Sequence, residues 1–115
     1  DLEGQYSTAN DLAILARLVY IHDIVQKITP IKETEISAIN TGENKKLTTT
    51  NELLGSYLKV LGLKTGTTDL AGQCLITVVE NDQGKKILNI VLNSPARFTE
   101  SKILSQWIFD NYQWI

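Results

Sequence analysis

LGLKTGTTDLAG, residues 61–72, is the stretch on which the reading of this chain turns. An apolar run reaches Leu63 and meets Lys64, Thr65 and Gly66, and a second apolar run begins at Gln73. Tyr57 to Lys64 is therefore expected to be a strand that stops at the lysine. Glycine beyond a strand often marks only a turn or a close backbone approach, and a lone Lys-Thr-Gly is common by chance. Its chemistry is definite all the same. A lysine at an edge-strand end presents an ammonium to an anion, and the neighbouring hydroxyl can bond a carboxylate. Glycine lets a ligand approach the backbone, and an edge strand can pair with an extended peptide.

Outward from that stretch, Gln73 to Glu80 (QCLITVVE) and Lys86 to Asn93 (KILNIVLN) are β-rich runs joined by Asn81-Asp82-Gln83-Gly84. This pattern predicts a β-hairpin, and with the preceding strand it makes an antiparallel three-strand meander. Residues 33–50 predict a weaker β pair around Asn40-Thr41-Gly42-Glu43-Asn44, whose residues favour turns. Residues 6–25 predict a helix, with Thr8 and Asp11 in capping-box spacing and Leu12, Leu15, Ala16 and Val19 on one face. A second amphipathic helix is predicted over 98–112, after Ser94-Pro95, with Ile103, Leu104, Trp107 and Ile108 on its apolar side and its aromatics in the core. The fold class is α+β: an antiparallel sheet, a weak β pair, and two helices that can cover one face.

Composition narrows the function. The chain has 115 residues, 43% of them hydrophobic and 21% charged, with a net charge of −2, so one domain or part of one is expected. Its lysines are scattered, and Lys45-Lys46 and Lys85-Lys86 sit beside turns, which gives no footprint for a nucleic acid. His22 is the only histidine and Cys74 the only cysteine, so neither a metal site nor an internal disulfide is expected. No cofactor is implied. Cys74 lies in an apolar run and reads as a buried, inert thiol. His22 falls near the end of the first predicted helix, where its charged form would suit the dipole. No apolar run approaches the about 18 residues that would span a bilayer. The chain opens on Asp1 rather than Met, which suggests a piece of a longer protein.

Three blocks move the odds on Lys-Thr-Gly. Gly4-Gln5-Tyr6-Ser7-Thr8-Ala9 with Asp11-Leu12-Ala13 and Leu15 opens the chain. Asn51-Glu52-Leu53-Leu54 precedes Val60-Leu61-Gly62-Leu63-Lys64-Thr65-Gly66-Thr67-Thr68 and Ala71-Gly72. Arg97-Phe98-Thr99-Glu100-Ser101 leads into the last helix. In order and spacing the three together resemble the serine-type D-alanyl-D-alanine carboxypeptidases, the low-molecular-weight penicillin-binding proteins. Lys-Thr-Gly is one of three motif elements, with Ser-x-x-Lys and Ser-Asp-Asn, that such proteins share with class A β-lactamases.

The resemblance implies a penicillin-binding-protein/β-lactamase-like fold, with residues 1–115 as the C-terminal portion of a transpeptidase-like catalytic domain. It implies a serine that attacks the bond between two terminal D-alanines of the peptidoglycan stem peptide. An acyl-enzyme forms, D-alanine leaves and water completes hydrolysis. Lys64 would then organise the anionic substrate and the proton network, and Thr65 and Gly66 would bind substrate. The N–H of Thr67 would be one oxyanion donor, and Arg97 would hold the terminal carboxylate. The partners implied are the pentapeptide stem and β-lactams, and the location is the extracytoplasmic cell envelope. Ser56-Tyr57-Leu58-Lys59 is a literal Ser-x-x-Lys but enters a strand, where residues three apart point to opposite faces. No Ser-x-Asn occurs in the chain. The nucleophile is expected upstream, and residues 1–115 alone are expected to be inactive and to self-associate through an uncovered apolar face. The alternatives are a non-catalytic peptidoglycan-binding or scaffold module of the same fold, and a piece of a class A β-lactamase.

Overall fold

The computed structural model describes residues 1–115. Along the chain come α1 (Ala9–Tyr20), α2 (Asp23–Ile28), β1 (Glu33–Ser37), β2 (Asn44–Thr48), β3 (Lys59–Thr68), β4 (Gly72–Glu80), β5 (Lys86–Ser94) and α3 (Arg97–Asn111). The class is α+β as expected. β1 and β2 form a separate antiparallel pair, and β3, β4 and β5 form an antiparallel sheet in that spatial order.

The hairpin between β4 and β5 follows from its turn. The Asn81 side-chain carbonyl accepts from the amides of Gln83 (3.0 Å) and Lys85 (2.8 Å), which folds the connection over a positive-φ Gly84. β4 is the central strand. Leu75 and Val79 on it are fully buried and pack with Leu53, Leu54 and Val60. Each such side chain contributes about 2 kcal/mol on burial. Leu53 and Leu54 reach that core because buried Asn51 turns the chain, its side-chain oxygen accepting from the Leu53 amide at 3.1 Å.

The first predicted helix is two. Thr8 caps α1 as its spacing suggests, with the Asp11 amide donating to the Thr8 hydroxyl at 3.1 Å. The chain then breaks after Tyr20. The Gln26 side-chain amide donates to the Tyr20 carbonyl at 2.8 Å, satisfying an end carbonyl that a continuous helix would have used. His22 becomes the N-cap residue of α2, so it sits at a helix start and not at the C-terminal end anticipated from the sequence.

The two long helices also do not share one face. α3 packs on the face of β4 and β5 that carries Thr77 and Asn89. α1 meets β5 on the side of Lys86, whose ammonium lies 5.9 Å from the centre of the Tyr20 ring. Lys86 and Asn89 are three apart on one strand and so point to opposite faces. Within α3 the expected apolar side is not the buried one: Ile103 and Trp107 are exposed, while Ser101 and Ser105 are fully buried and Phe98 and Phe109 pack on the core. Tyr112 is exposed as well, so the aromatics at this end divide between core and surface.

The chain is more open than its length requires. Its radius of gyration is 15.8 Å, against about 13 Å for a compact domain of this size. The β1–β2 pair is exposed along its length, and Ile14, Leu15, Leu18, Ile21, Ile24 and Ile28 on α1, α2 and their junction face solvent. No helix is long and apolar enough to cross a membrane.

One ionic cluster ties the three strands together. The Glu80 carboxylate, little exposed, accepts from the Lys59 ammonium of β3 and lies 3.7 Å from that of Lys86 on β5. The Lys59 hydrogen bond first, and then the charges of both lysines, hold its carboxyl below the ordinary value of 4.5 against the opposing effect of burial. A carboxyl whose folded-state value is depressed adds stability above 4.5, and that stability is lost as the pH falls through the folded value. Glu80→Gln is therefore expected to lower the Tm at pH 7 by an amount that disappears below the carboxylate range. A pH series of melting curves checks this; a Tm deficit that does not change with pH would contradict it.

Candidate active site

β3 is an edge strand, so one side of it has no strand neighbour. It does not stop at Lys64. It runs on to Thr68, with Lys64 opposite Ile76, Thr65 opposite Leu75, Gly66 opposite Cys74 and Thr67 opposite Gln73. The polar residues of Lys-Thr-Gly thus continue the ladder on one side and offer a free edge on the other.

The approach to this segment is built around Gly62. A register shift between Val60 and Gly62 leaves Leu61 as an extra residue, and Gly62 has a φ of 139°. A Cβ at Gly62 would stand 2.6 Å from Thr29 Oγ1 and 2.7 Å from Thr29 Cβ. The Thr29 hydroxyl lies 2.9 Å from the carbonyls of both Val25 and Leu61, which share its single proton. The end of α2 is thereby pinned to β3 just before the lysine.

Gly66 is a different case. Nothing lies within 4 Å of the position its Cβ would take, and its backbone is not in the left-handed region. Nothing in the chain itself requires glycine there. The opening at Gly66 is available to a ligand.

Lys64 and Thr65 are consecutive on a strand and so project to opposite faces. The Lys64 side chain is exposed, and its ammonium donates to the Thr65 carbonyl. Thr65 is half-buried, with its hydroxyl 2.6 Å from that of Thr50. Arg97, the first residue of α3, reaches back across the strand. Its Nη1 donates to the Gly66 carbonyl at 2.8 Å and to the Thr67 hydroxyl, and the guanidinium stacks 4.7 Å from the Phe98 ring centre. All five sequence-selected residues, Lys64, Thr65, Gly66, Thr67 and Arg97, are thus collected along one short length of β3.

The electrostatics of this grouping are unbalanced. The ion pairs of the chain join Lys46 to Glu33, and Lys59 and Lys86 to Glu80; Lys64 and Arg97 have none. Arg97 also stands at the positive end of the α3 dipole. Two neutral oxygens and the Phe98 ring hold it there, with no carboxylate among its partners. Two uncompensated cations on a free strand edge suit an anionic, extended ligand. Beside them a cavity of about 230 Å³ is lined by Glu52, Leu53, Gln73, Ala96, Arg97, Phe98, Thr99 and Lys102.

Ser56 lies in a bend before β3, and Lys59 is engaged by Glu80, so Ser56-Tyr57-Leu58-Lys59 does not form a serine–lysine pair. Thr50 was not singled out in the sequence. It falls in a run of three threonines, and only the fold brings it to Thr65.

The model of the family described as D-alanyl-D-alanine carboxypeptidase matches residues 1–96. D-alanyl-D-alanine carboxypeptidase DacC of Escherichia coli is 35% identical over 114 residues, covering 95% of this chain. DacA of Haemophilus influenzae is 31% identical over 118 residues, covering 98%. The chain spans only 27% and 28% of the length of these two relatives. Among solved structures, the Streptomyces K15 DD-transpeptidase superposes with a TM-score of 0.86 at 27% identity, over 95% of this chain and 44% of that one. Penicillin-binding protein D2 of Listeria monocytogenes in its cefotaxime-bound form gives 0.76 at 36% identity, over 95% and 44%. With its motif blocks, its fold and its sequence all in agreement, the chain belongs to the D-alanyl-D-alanine carboxypeptidase family.

Proposed function

We propose that residues 1–115 form the C-terminal portion of the catalytic domain of a serine-type D-Ala-D-Ala carboxypeptidase, which trims the terminal D-alanine of peptidoglycan stem peptides through an acyl-enzyme. The observation that carries this reading is the Arg97 guanidinium bound to Gly66 and Thr67, which with Lys64 leaves two unpaired cations on an open strand edge. The stem peptide enters extended along β3 and places its terminal carboxylate between Arg97 and the Thr65 hydroxyl. Lys64, on the other face, supplies positive charge to the substrate and to the proton network of the serine. Thr65 and Thr67 are two apart on the strand, so their backbone N–H groups project the same way. The Thr67 amide then donates to the developing oxyanion, a contact typically worth about 3 kcal/mol in the transition state.

The serine itself is assigned to a segment outside residues 1–115, and β-lactams acylate it as substrate mimics. The protein works outside the cytoplasm, in the cell envelope where peptidoglycan lies. The exposed apolar residues of α1 and α2 support self-association when residues 1–115 stand alone.

Gly66→Ala in the full-length protein tests the placement of the substrate. The Tm is expected to stay within about 1 °C, because the new methyl meets no atom and surface changes of this kind are worth less than about 0.5 kcal/mol. Labelling by a fluorescent penicillin is expected to fall by roughly tenfold or more, since an obstructed approach disturbs the attack geometry. Unchanged labelling of Gly66→Ala would remove the substrate from this edge. A wild-type protein that takes no label and releases no D-alanine would instead favour a non-catalytic binding module.

A further inference from the structure

Between α3 and the sheet lies a polar group in an otherwise apolar interface. Asn89 of β5, Thr77 of β4, and Ser101 and Ser105 of α3 are all buried, with at most 3% of their surface exposed. The Asn89 side-chain amide donates to the Ser105 hydroxyl at 2.6 Å and lies 3.5 Å from the Ser101 carbonyl. The Ser105 hydroxyl donates in turn to the Ser101 carbonyl at 2.7 Å. The carbonyl acceptor fixes which end of the Asn89 amide faces the helix.

This arrangement is a poor choice for stability alone. Thr77 Oγ1, Asn89 Oδ1 and Ser101 Oγ are buried without a partner, a cost that apolar residues of similar size would avoid. What the polar group does provide is a single register. An apolar helix face can slide or rotate on a sheet with little loss, whereas the Asn89 amide needs a hydroxyl beside it, which excludes intermediate settings, and the seating of Phe98 and Phe109 on the core opposes the one-turn slip that would bring Ser101 there in place of Ser105. Small serines at Ser101 and Ser105 also let the helix backbone come close to β5.

Arg97, Ser101 and Ser105 are spaced four apart on α3 and so share one face. The axial and rotational setting that meets Asn89 is therefore the setting that delivers Arg97 to Gly66 and Thr67. A slip of one turn, about 5.4 Å, would carry the guanidinium off both. We propose that Asn89, acting through Ser105 and Ser101, is a positioning residue for Arg97: it sets the register of α3 so that the cation lands on β3. This inference rests on the substrate-binding reading of Arg97 given above.

The test has two arms. In the selectively isotope-labelled full-length protein, Ser105→Ala and Asn89→Leu are expected to lose the nuclear Overhauser contacts between the Arg97 side chain and Thr67, while the β4–β5 hairpin keeps its amide shifts. In the full-length protein, each variant is expected to raise KM for a D-Ala-D-Ala peptide roughly tenfold, as Arg97→Ala does, with kcat changed far less. Ser105→Ala combined with Arg97→Ala should be no worse than Arg97→Ala alone, because both remove the same contact. A purely structural role would lower the Tm and leave KM alone. If Asn89→Leu does not fold, Ser105→Ala carries the test. Arg97–Thr67 contacts that persist in Ser105→Ala, or effects that add in full, overturn the proposal. Absence of peptide turnover in the wild type would remove the catalytic reading and leave the first arm to decide the register.

Discussion

Replacing Lys64 by alanine in the full-length protein is expected to cut acylation by a labelled penicillin at least about 100-fold, the lower range for a group in the proton network of a nucleophile. The fold should survive. Lys64 is exposed, lies in no ion pair, and its one hydrogen bond goes to the carbonyl of the next residue. Its removal leaves neither a cavity nor a buried orphan, so the Tm should move by no more than a surface substitution allows. Lys64→Arg separates charge from chemistry. It keeps a cation for an anionic substrate but cannot lend or take a proton near neutral pH. If Lys64 serves only to attract the substrate, arginine restores acylation; if it serves the proton network, it does not. Full labelling of Lys64→Ala would withdraw the residue from the site altogether.

The largest expected effect on stability is at Gly62. Gly62→Ala places a methyl 2.6–2.7 Å from the Thr29 side chain and forces an L-residue to a φ of 139°. Overpacking and backbone strain each cost about 1–3 kcal/mol, so a loss of about 3 kcal/mol or more is expected by denaturant titration of the 115-residue chain. The neighbour has little room to give, because the Thr29 hydroxyl is held between the carbonyls of Val25 and Leu61. Thr29→Gly removes both side-chain atoms that the new methyl meets, so Gly62→Ala is expected to cost less in that background than in the wild type. A loss below about 1 kcal/mol in Gly62→Ala would mean that the α2–β3 junction yields easily. The contrast with Gly66 is instructive. Two glycines four residues apart share one motif, yet one is required by its own chain and the other is free of it.

Family likeness and local chemistry converge on the same strand for different reasons. The sequence blocks select Lys64, Thr65, Gly66, Thr67 and Arg97 by pattern. The fold brings Arg97 back over an interval of 31 residues to donate to Gly66. An arginine at the first position of a helix is electrostatically misplaced unless something else uses its charge, and its contacts here are with neutral oxygens and the Phe98 ring, with no carboxylate among them.

Much of this fold could be read from local signals. The β4–β5 hairpin follows from two β-branched runs and an Asn-x-x-Gly connection. The α1 cap follows from Thr8 and Asp11, and the weak β pair from its turn residues. The family and the selection of site residues came from the joint occurrence of three short blocks. None of these depends on distant contacts, because turn geometry, capping and strand propensity are settled within a few residues.

Only the tertiary structure decided the rest. β3 continues through Lys-Thr-Gly because β4 pairs with it up to Thr68; a polar segment shows no apolar alternation when its faces and edge are open. The first helix breaks at Ile21 and His22 because the Gln26 side chain closes it, a choice that periodicity does not register. α3 buries its serines in place of Ile103 and Trp107, because close approach to β5 and the Asn89 hydrogen bond outweigh simple hydrophobicity there. Lys64 and Thr65 divide between the two faces of one edge strand, and Arg97 arrives from another element. Residue chemistry is written locally, but which oxygens a cation meets depends on how a helix sits on a sheet, and that is a property of packing.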